Sequence, residues 1–135
     1  MFKIIVAGSR DFKDYKLLKE KLDNILSSVK DDIEIVSGTA AGADKLGERY
    51  AKENGYSVKK FPAPWEDIEG KPEWQIGERR DGTKFWKGAG HFRNEQMAKY
   101  SNAAVLFWKN VSSGTANMLG NAEAYKLKTR VIKIK

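Results

Sequence analysis

Two short apolar runs constrain this chain more than any other feature. Phe2 to Ala7 is broken only by Lys3 and stops at Gly8, and Ala103 to Trp108 holds no charged residue. A strand that faces water on one side alternates polar and apolar residues, whereas a strand covered on both faces reads as a continuous apolar stretch. The two runs predict buried strands of a sheet lying between layers of helix.

The rest of the pattern alternates between a strand period and a helix period. Leu18, Leu22, Ile25, Leu26 and Val29 recur at spacings of three and four, which predicts a helix from Asp14, its N-cap, to about Val29. Ile33 to Val36 predicts a second strand, ended by Ser37-Gly38. A helix follows from about Gly42 to Asn54, with Ala43, Leu46, Tyr50 and Ala51 inward and Gly55 as its C-cap. Val58 to Phe61 is a weaker third strand. Residues 65–90 break the rhythm, with Trp65, Trp74, Phe85 and Trp86 set among charges and glycines. An insertion that long is usually functional or disordered, and its aromatic content argues for order. Regularity returns with a helix over Phe92 to Tyr100, the Ala103 to Trp108 strand, and a helix over Ser113 to Lys126 with Met118, Leu119 and Ala122 inward. A strand over Arg130 to Lys135 alternates basic and apolar residues.

Five strands interleaved with helices predict an α/β fold: a Rossmann-like, doubly wound, parallel five-stranded sheet of order 3-2-1-4-5 with helices on both faces. The basic alternation of the last strand suits a sheet edge. The 135 residues suit one domain carrying the aromatic-rich insertion.

Composition removes several chemistries. With no cysteine there is no disulfide, thiol nucleophile or thiolate metal site, and with one histidine there is no multi-histidine zinc centre. No metal is expected. Neither G-x-G-x-x-G nor G-K-[ST] occurs, so no standard dinucleotide or Walker fingerprint is present and no cofactor is expected. No apolar run reaches the roughly 18 residues of a membrane helix. The chain enters a strand directly after Met1, so a cytoplasmic location without a membrane partner is the expectation. The net charge of +7 favours anionic partners. The lysines are dispersed, so nucleic acid stays open but is not favoured, and a homo-oligomer also stays open.

In doubly wound sheets, ligands bind beyond the carboxyl ends of the strands, at the point where the strand order reverses. That rule directs attention to four segments: Gly8-Ser9-Arg10-Asp11, Ser37 to Asp44, Gly88 to Asn94, and Ser112-Ser113-Gly114-Thr115. All four hold glycine. Glycine lets backbone approach a ligand, and a helix N-terminus offers unpaired N–H groups to an anion. Ser113-Gly114-Thr115, opening a helix, is such a cradle. Arg10 and Arg93 can each hold a phosphate or carboxylate through paired, charge-assisted bonds. Taken singly, each segment is also ordinary turn or cap chemistry, but four on one rim favour a shared site. His91 is more often a cap or a packed ring than a base. Trp108 reads as core or pocket wall, Trp65 could stack on a base, and Trp74 and Trp86 could form a lid or an interface.

The ordered motifs GSRDF, SGTAAGAD, APW, AG-x-x-RN-x-x-M and FW-x-x-x-SSGT resemble the YspA-like branch of the SLOG superfamily over nearly the whole chain. That superfamily is similar to the LOG phosphoribohydrolases and to the Rossmann-like part of DprA. The resemblance implies a nucleotide-derived ligand, ADP-ribose-like or NAD-related. It carries ligand binding onto Gly8, Ser9 and Arg10, onto Gly38, Thr39, Gly42 and Asp44, onto Arg93 and Asn94, and onto Gly114 and Thr115, beside Ser113. LOG enzymes carry a glutamate in a G-G-x-G-T-x-x-E run, and Met118 stands at that position here.

Three functions follow as expectations. The first is binding of a small nucleotide-like ligand. The second is cleavage or transfer at an N-glycosidic bond of such a ligand, with Asp11, Asp44 and Glu95 as the carboxylates available to an oxocarbenium-like centre. The third is a nucleic-acid-binding module.

Overall fold

A computed structural model describes residues 1–109 and 113–134. The elements run β1 (Phe2–Gly8), α1 (Tyr15–Leu26), β2 (Ile33–Ser37), α2 (Ala43–Asn54), β3 (Ser57–Lys60), β4 (Ile76–Glu78), β5 (Lys84–Trp86), α3 (Ala89–Tyr100), β6 (Ala103–Trp108), α4 (Ser113–Ala124) and β7 (Lys128–Lys133). Five strands pair in parallel in the order β3-β2-β1-β6-β7. With the separate β4-β5 hairpin set aside, this is the expected order 3-2-1-4-5, and the fold is Rossmann-like.

Side-chain alternation along β1 shows why its sequence is apolar throughout. Ile4 and Val6 join Leu18, Leu22 and Leu26 of α1 and Ala43, Tyr50 and Ala51 of α2 in one core. Ile5 and Ala7 point the other way, into a core with Met97 and Ala98 of α3 and Met118 and Ala122 of α4. Helix boundaries follow their caps. Asp14 accepts from the Leu17 N–H at 3.0 Å, and Gly55 closes α2 with its N–H on the Ala51 and Lys52 carbonyls.

Four boundaries differ from expectation by two residues or more, each for a local reason. Helix α1 stops at Leu26, and Val29 packs against the same core from a turn in which its N–H meets the Leu26 carbonyl at 3.0 Å. Helix α3 begins at Ala89, three residues before the expected Phe92. Gly88 is its N-cap, and Ala89 and Gly90 are too small to register as an apolar stripe. Helix α4 ends at Ala124 because Lys126 turns left-handed, at φ 58°. The last strand starts at Lys128, where pairing with Ala103 of β6 begins. Its expected end, Lys135, lies outside the described residues, as does Ser112. Within the 65–90 insertion, Glu73–Gln75 forms a 3₁₀ turn and β4 pairs antiparallel with β5. Strands of three residues are too short for an alternating pattern to be legible. No helix among the described residues is long and apolar enough to cross a membrane.

Strands β1 and β6 run side by side to the pair Gly8–Phe107 and then part, β1 leading to α1 and β6 towards α4. This is the switch point. The strands can approach so closely there only because residue 8 is glycine. A Cβ at Gly8 would lie 2.2 Å from the Phe107 carbonyl oxygen, on a backbone at φ +153°. Gly8→Ala is expected to destabilise the fold by roughly 2–6 kcal/mol, the combined cost of strain and overlap. Urea unfolding checks this, and a loss under about 1 kcal/mol would mean that the junction gives way easily.

Candidate functional site

A cleft of about 460 Å³ opens at the β1–β6 junction. Its wall gathers Gly8, Ser9, Arg10 and Asp11 from the end of β1, Ala40 from the loop after β2, Asp44 from the start of α2, Arg93, Asn94 and Met97 from α3, and Ser113, Gly114, Thr115 and Met118 from α4. Trp65, Lys87, Gly90 and His91 complete it. The structure therefore brings Gly8, Ser9, Arg10, Asp44, Arg93, Asn94, Ser113, Gly114 and Thr115 together. Gly38, Thr39 and Gly42 stand behind this wall and shape it. Asp11 is exposed at the rim, 3.7 Å from Lys109. Glu95 is outside the cleft and pairs with Lys99 on the surface of α3 at 3.2 Å.

Arg93 is the most constrained polar group. It sits on the second turn of α3, not in a loop, and is half-buried. Its Nη1 donates to the Gly38 carbonyl and its Nε donates to Asn94 Oδ1 at 3.0 Å. Nη2 is hydrogen-bonded to no described residue. Burial pulls its pKa down while the Asp44 charge raises it, and the guanidinium stays cationic. Asn94 in turn donates from Nδ2 to the Gly114 carbonyl at 3.3 Å and to Asn117 Oδ1 at 3.1 Å, tying α3 to the first turn of α4. Arg10 is exposed and its side chain makes no hydrogen bond or ion pair with a described residue, so its five donors face solvent. A Cβ at Gly114 would meet nothing within 4 Å among the described residues.

Asp44 is 5% exposed, in the first turn of α2. Oδ2 accepts from the Ala40 N–H at 3.2 Å, and Oδ1 has no hydrogen-bond partner among the described residues. Burial pushes its pKa up to about 6, and the nearby Glu48 charge adds to this. The Ala40 N–H, Arg93 and Arg10 pull the other way without cancelling it. The loop before it is strained to bring Ala40 into place. Thr39 takes φ 63°, which a β-branched residue rarely adopts, and its N–H donates to Ser37 Oγ at 3.1 Å. Gly38 has no room for a side chain, since a Cβ would lie 2.8 Å from both Arg93 Nη1 and Asp44 Oδ2. Gly42, at φ +80°, lets α2 start against the β1 loop, where a Cβ would sit 2.3 Å from the Ser9 carbonyl oxygen.

Ser9 is held as a brace. Its Oγ accepts from the Lys109 N–H at 2.9 Å, and its own N–H donates to the Phe107 carbonyl at 2.9 Å. Sequence reasoning did not assign Lys87, Ala40 and Met97 to the site. Lys87 comes from the edge of the insertion, where no motif marks it, whereas Ala40 lies inside SGTAAGAD and Met97 ends AG-x-x-RN-x-x-M, motifs that point to both without giving either a contact of its own. No group of three or more His, Cys, Asp or Glu side chains able to hold a metal occurs among the described residues.

The fold and the placement of the cleft define a Rossmann-like α/β protein with its pocket at the switch point. The model of the YspA, cpYpsA-related SLOG family matches residues 2–67. The matched segment, β1 through β3 and the loop after it, carries that family's pattern, and the resemblance to the YspA-like branch of the SLOG superfamily is borne out. Arg93, Asn94, Gly114 and Thr115 lie beyond the matched residues. Among solved structures, the X-ray structure of DNA processing protein A (DprA) from Streptococcus pneumoniae matches with a TM-score of 0.69 at 18% identity. The match covers 100% of this chain and 51% of that one, so this chain spans about half the length of the DprA chain. The X-ray structure of TM1055, a structural-genomics target, matches with a TM-score of 0.60 at 18% identity over 96% of this chain and 72% of that one. At such identities the likeness is one of fold. No curated protein sequence matches the chain.

The Asp44 environment gives a pH signature. An aspartate titrates near 3.8 when unfolded and about 6 here, so the folded state holds the proton more tightly. The associated stability is present below about pH 4 and is lost as pH rises through 6, by about 3 kcal/mol in all. Asp44→Asn, which mimics the protonated carboxyl, is expected to match the parent near pH 4 and exceed its stability at pH 7.5 by up to about that amount. Urea unfolding at the two pH values checks it. Equal stabilities at pH 7.5 would mean that Arg93 and Arg10 offset the burial cost.

Proposed function

We propose that the chain binds a small nucleotide-derived ligand, of the ADP-ribose-like, NAD-related or nucleoside monophosphate kind, in the β1–β6 cleft. The observation that carries this is the pair Arg10 and Arg93, which face one cleft with donors uncommitted to any described residue beside the first turn of α4. A phosphate placed there meets two guanidinium groups and helix N–H donors at once. Asp44 Oδ1 is then free for a sugar hydroxyl, as acceptor when ionised and as donor when protonated. The cleft volume is in the range of small-ligand sites, roughly 300–1,000 Å³.

Binding is favoured over LOG-type hydrolysis by Met118. The residue is 2% exposed and lies in the cleft floor, so a thioether stands where the LOG resemblance would place a glutamate. An oxocarbenium-like transition state needs a carboxylate beside it. Asp44, with its raised pKa, is the observation that favours the second reading, in which the chain cleaves or transfers at an N-glycosidic bond with Asp44 as proton donor. Mass spectrometry of AMP, ADP-ribose and NAD after incubation separates the two readings, since turnover releases the free base and binding leaves the ligand intact.

Arg93→Ala and Arg10→Ala are each expected to weaken AMP or ADP-ribose at least about tenfold, the equivalent of about 1.4 kcal/mol. Lys133→Gln on the edge strand is expected to change little. Affinity for the small ligand should fall only modestly between roughly 50 and 200 mM salt, where a protein holding DNA through six to ten phosphates loses about a thousandfold or more. Calorimetric titration across that range checks both. A steep salt slope together with DNA binding at physiological salt would favour the nucleic-acid module instead.

A further inference from the structure

The insertion that carries the β4–β5 hairpin leaves the cleft at Trp65 and returns to it at Lys87. Both residues line the wall. The two ends are fastened together: the Trp86 N–H donates to the Trp65 carbonyl at 2.7 Å, and the Lys87 N–H donates to the Gln75 carbonyl at 2.7 Å. Trp86 Nε1 donates to Gln75 Oε1 at 2.9 Å, closing the base of the hairpin a third time.

The interior of the hairpin is built to support one ring. Gly77 of β4 stands opposite Phe85 of β5. A Cβ at Gly77 would lie 2.5 Å from Phe85 Cζ, so the phenyl ring lies across the glycine, in space that any larger residue would occupy. Phe85 then meets Trp65 edge-to-face, with centroids 6.3 Å apart and planes at 67°. The benzo edge of Trp65 also lies near Gly90 in the first turn of α3, where a Cβ would be in ordinary contact, 3.4 Å from Trp65 Cη2. The indole therefore lies between a ring supplied by the hairpin and Gly90 of α3. It remains half-exposed, in the same cleft as Arg10 and Arg93. Electron-poor planar rings stack on indole, and all nucleobases present such a face.

We propose that the hairpin is a positioning element that fixes Trp65 as a stacking wall, so that the site selects phosphorylated ligands carrying a planar base over bare sugar phosphates. This rests on the reading of the cleft as a nucleotide site. Trp65 is the specificity-determining contact. Phe85, which does not line the cleft, acts through Trp65, and Gly77 acts through Phe85.

Calorimetric titration of the full chain with AMP and with ribose 5-phosphate tests the proposal, because the two differ by the base alone. The parent is expected to bind AMP about tenfold or more tighter than ribose 5-phosphate. Trp65→Ala should bring the ratio close to one by weakening AMP far more than ribose 5-phosphate, and Trp65→Phe should restore most of the ratio. Phe85→Ala should lower the ratio several-fold, again mainly by weakening AMP. Should Trp65→Ala fail to fold, Trp65→Leu keeps apolar packing on Gly90 without the π-face and should show the same loss. Equal affinities for the two ligands in the parent overturn the stacking wall while leaving the anion site standing. Failure of the parent to bind either ligand overturns the nucleotide reading itself. A Trp65→Ala variant that weakens both ligands equally makes Trp65 structural, and a Phe85→Ala variant with an unchanged ratio removes the hairpin from specificity.

Discussion

Where β1 ends, the backbone of Gly8 lies against the carbonyl of Phe107 more closely than any side chain would permit. Much of the cleft is referred to this contact. The Phe107 carbonyl also accepts the Ser9 N–H, Ser9 Oγ accepts the Lys109 N–H, and the Ser9 carbonyl accepts the N–H of Ala43 at 3.4 Å. One short stretch of backbone thus fixes the end of β6, the start of α2 and the direction in which Arg10 leaves the sheet.

Around that junction the chain accepts local costs that a purely stable fold would avoid. Asp44 is buried with a raised pKa, Thr39 is held left-handed to present Ala40 to it, and the Arg93 guanidinium is half-buried without an ion pair within 4 Å among the described residues. Strain and poorly paired charge concentrate in the cleft, where the proposed ligand would supply the missing partners. The surface ion pairs are of a different kind. Lys19–Asp23, Arg49–Glu53 and Lys99–Glu95 join neighbouring turns of exposed helices and contribute little.

The strands and their order were legible because burial on both faces leaves an unmistakable apolar run in β1 and β6, and because glycine and proline mark most of the turns. The cleft was legible as far as it is built from segments that directly follow strands: Arg10, Asp44 and Gly114 lie where the switch-point rule puts them. Arg93 was found for a different reason than the one that places it, since it projects from the second turn of a helix whose first turn, Ala89-Gly90, has no stripe to read. The hairpin was opaque. Its strands are three residues long, and the pairing of Gly77 with Phe85, which gives it its shape, has no local sequence signal. Ser9 and Asn94 read as ligand contacts from motif alone, yet their side chains fasten the β1 loop to β6 and α3 to α4.

On the function proposed above, ligand binding is confined to the β1–β6 cleft. Amide chemical-shift mapping during titration of the ¹⁵N-labelled chain with AMP tests it most directly. Saturable shifts are expected on the amides of Gly8 to Arg10, Ala40, Gly90 to Asn94 and Ser113 to Thr115, with β7 and the outer face of α1 unmoved. Shifts spread along the lysine-bearing edge of β7, or none at millimolar AMP, would contradict it.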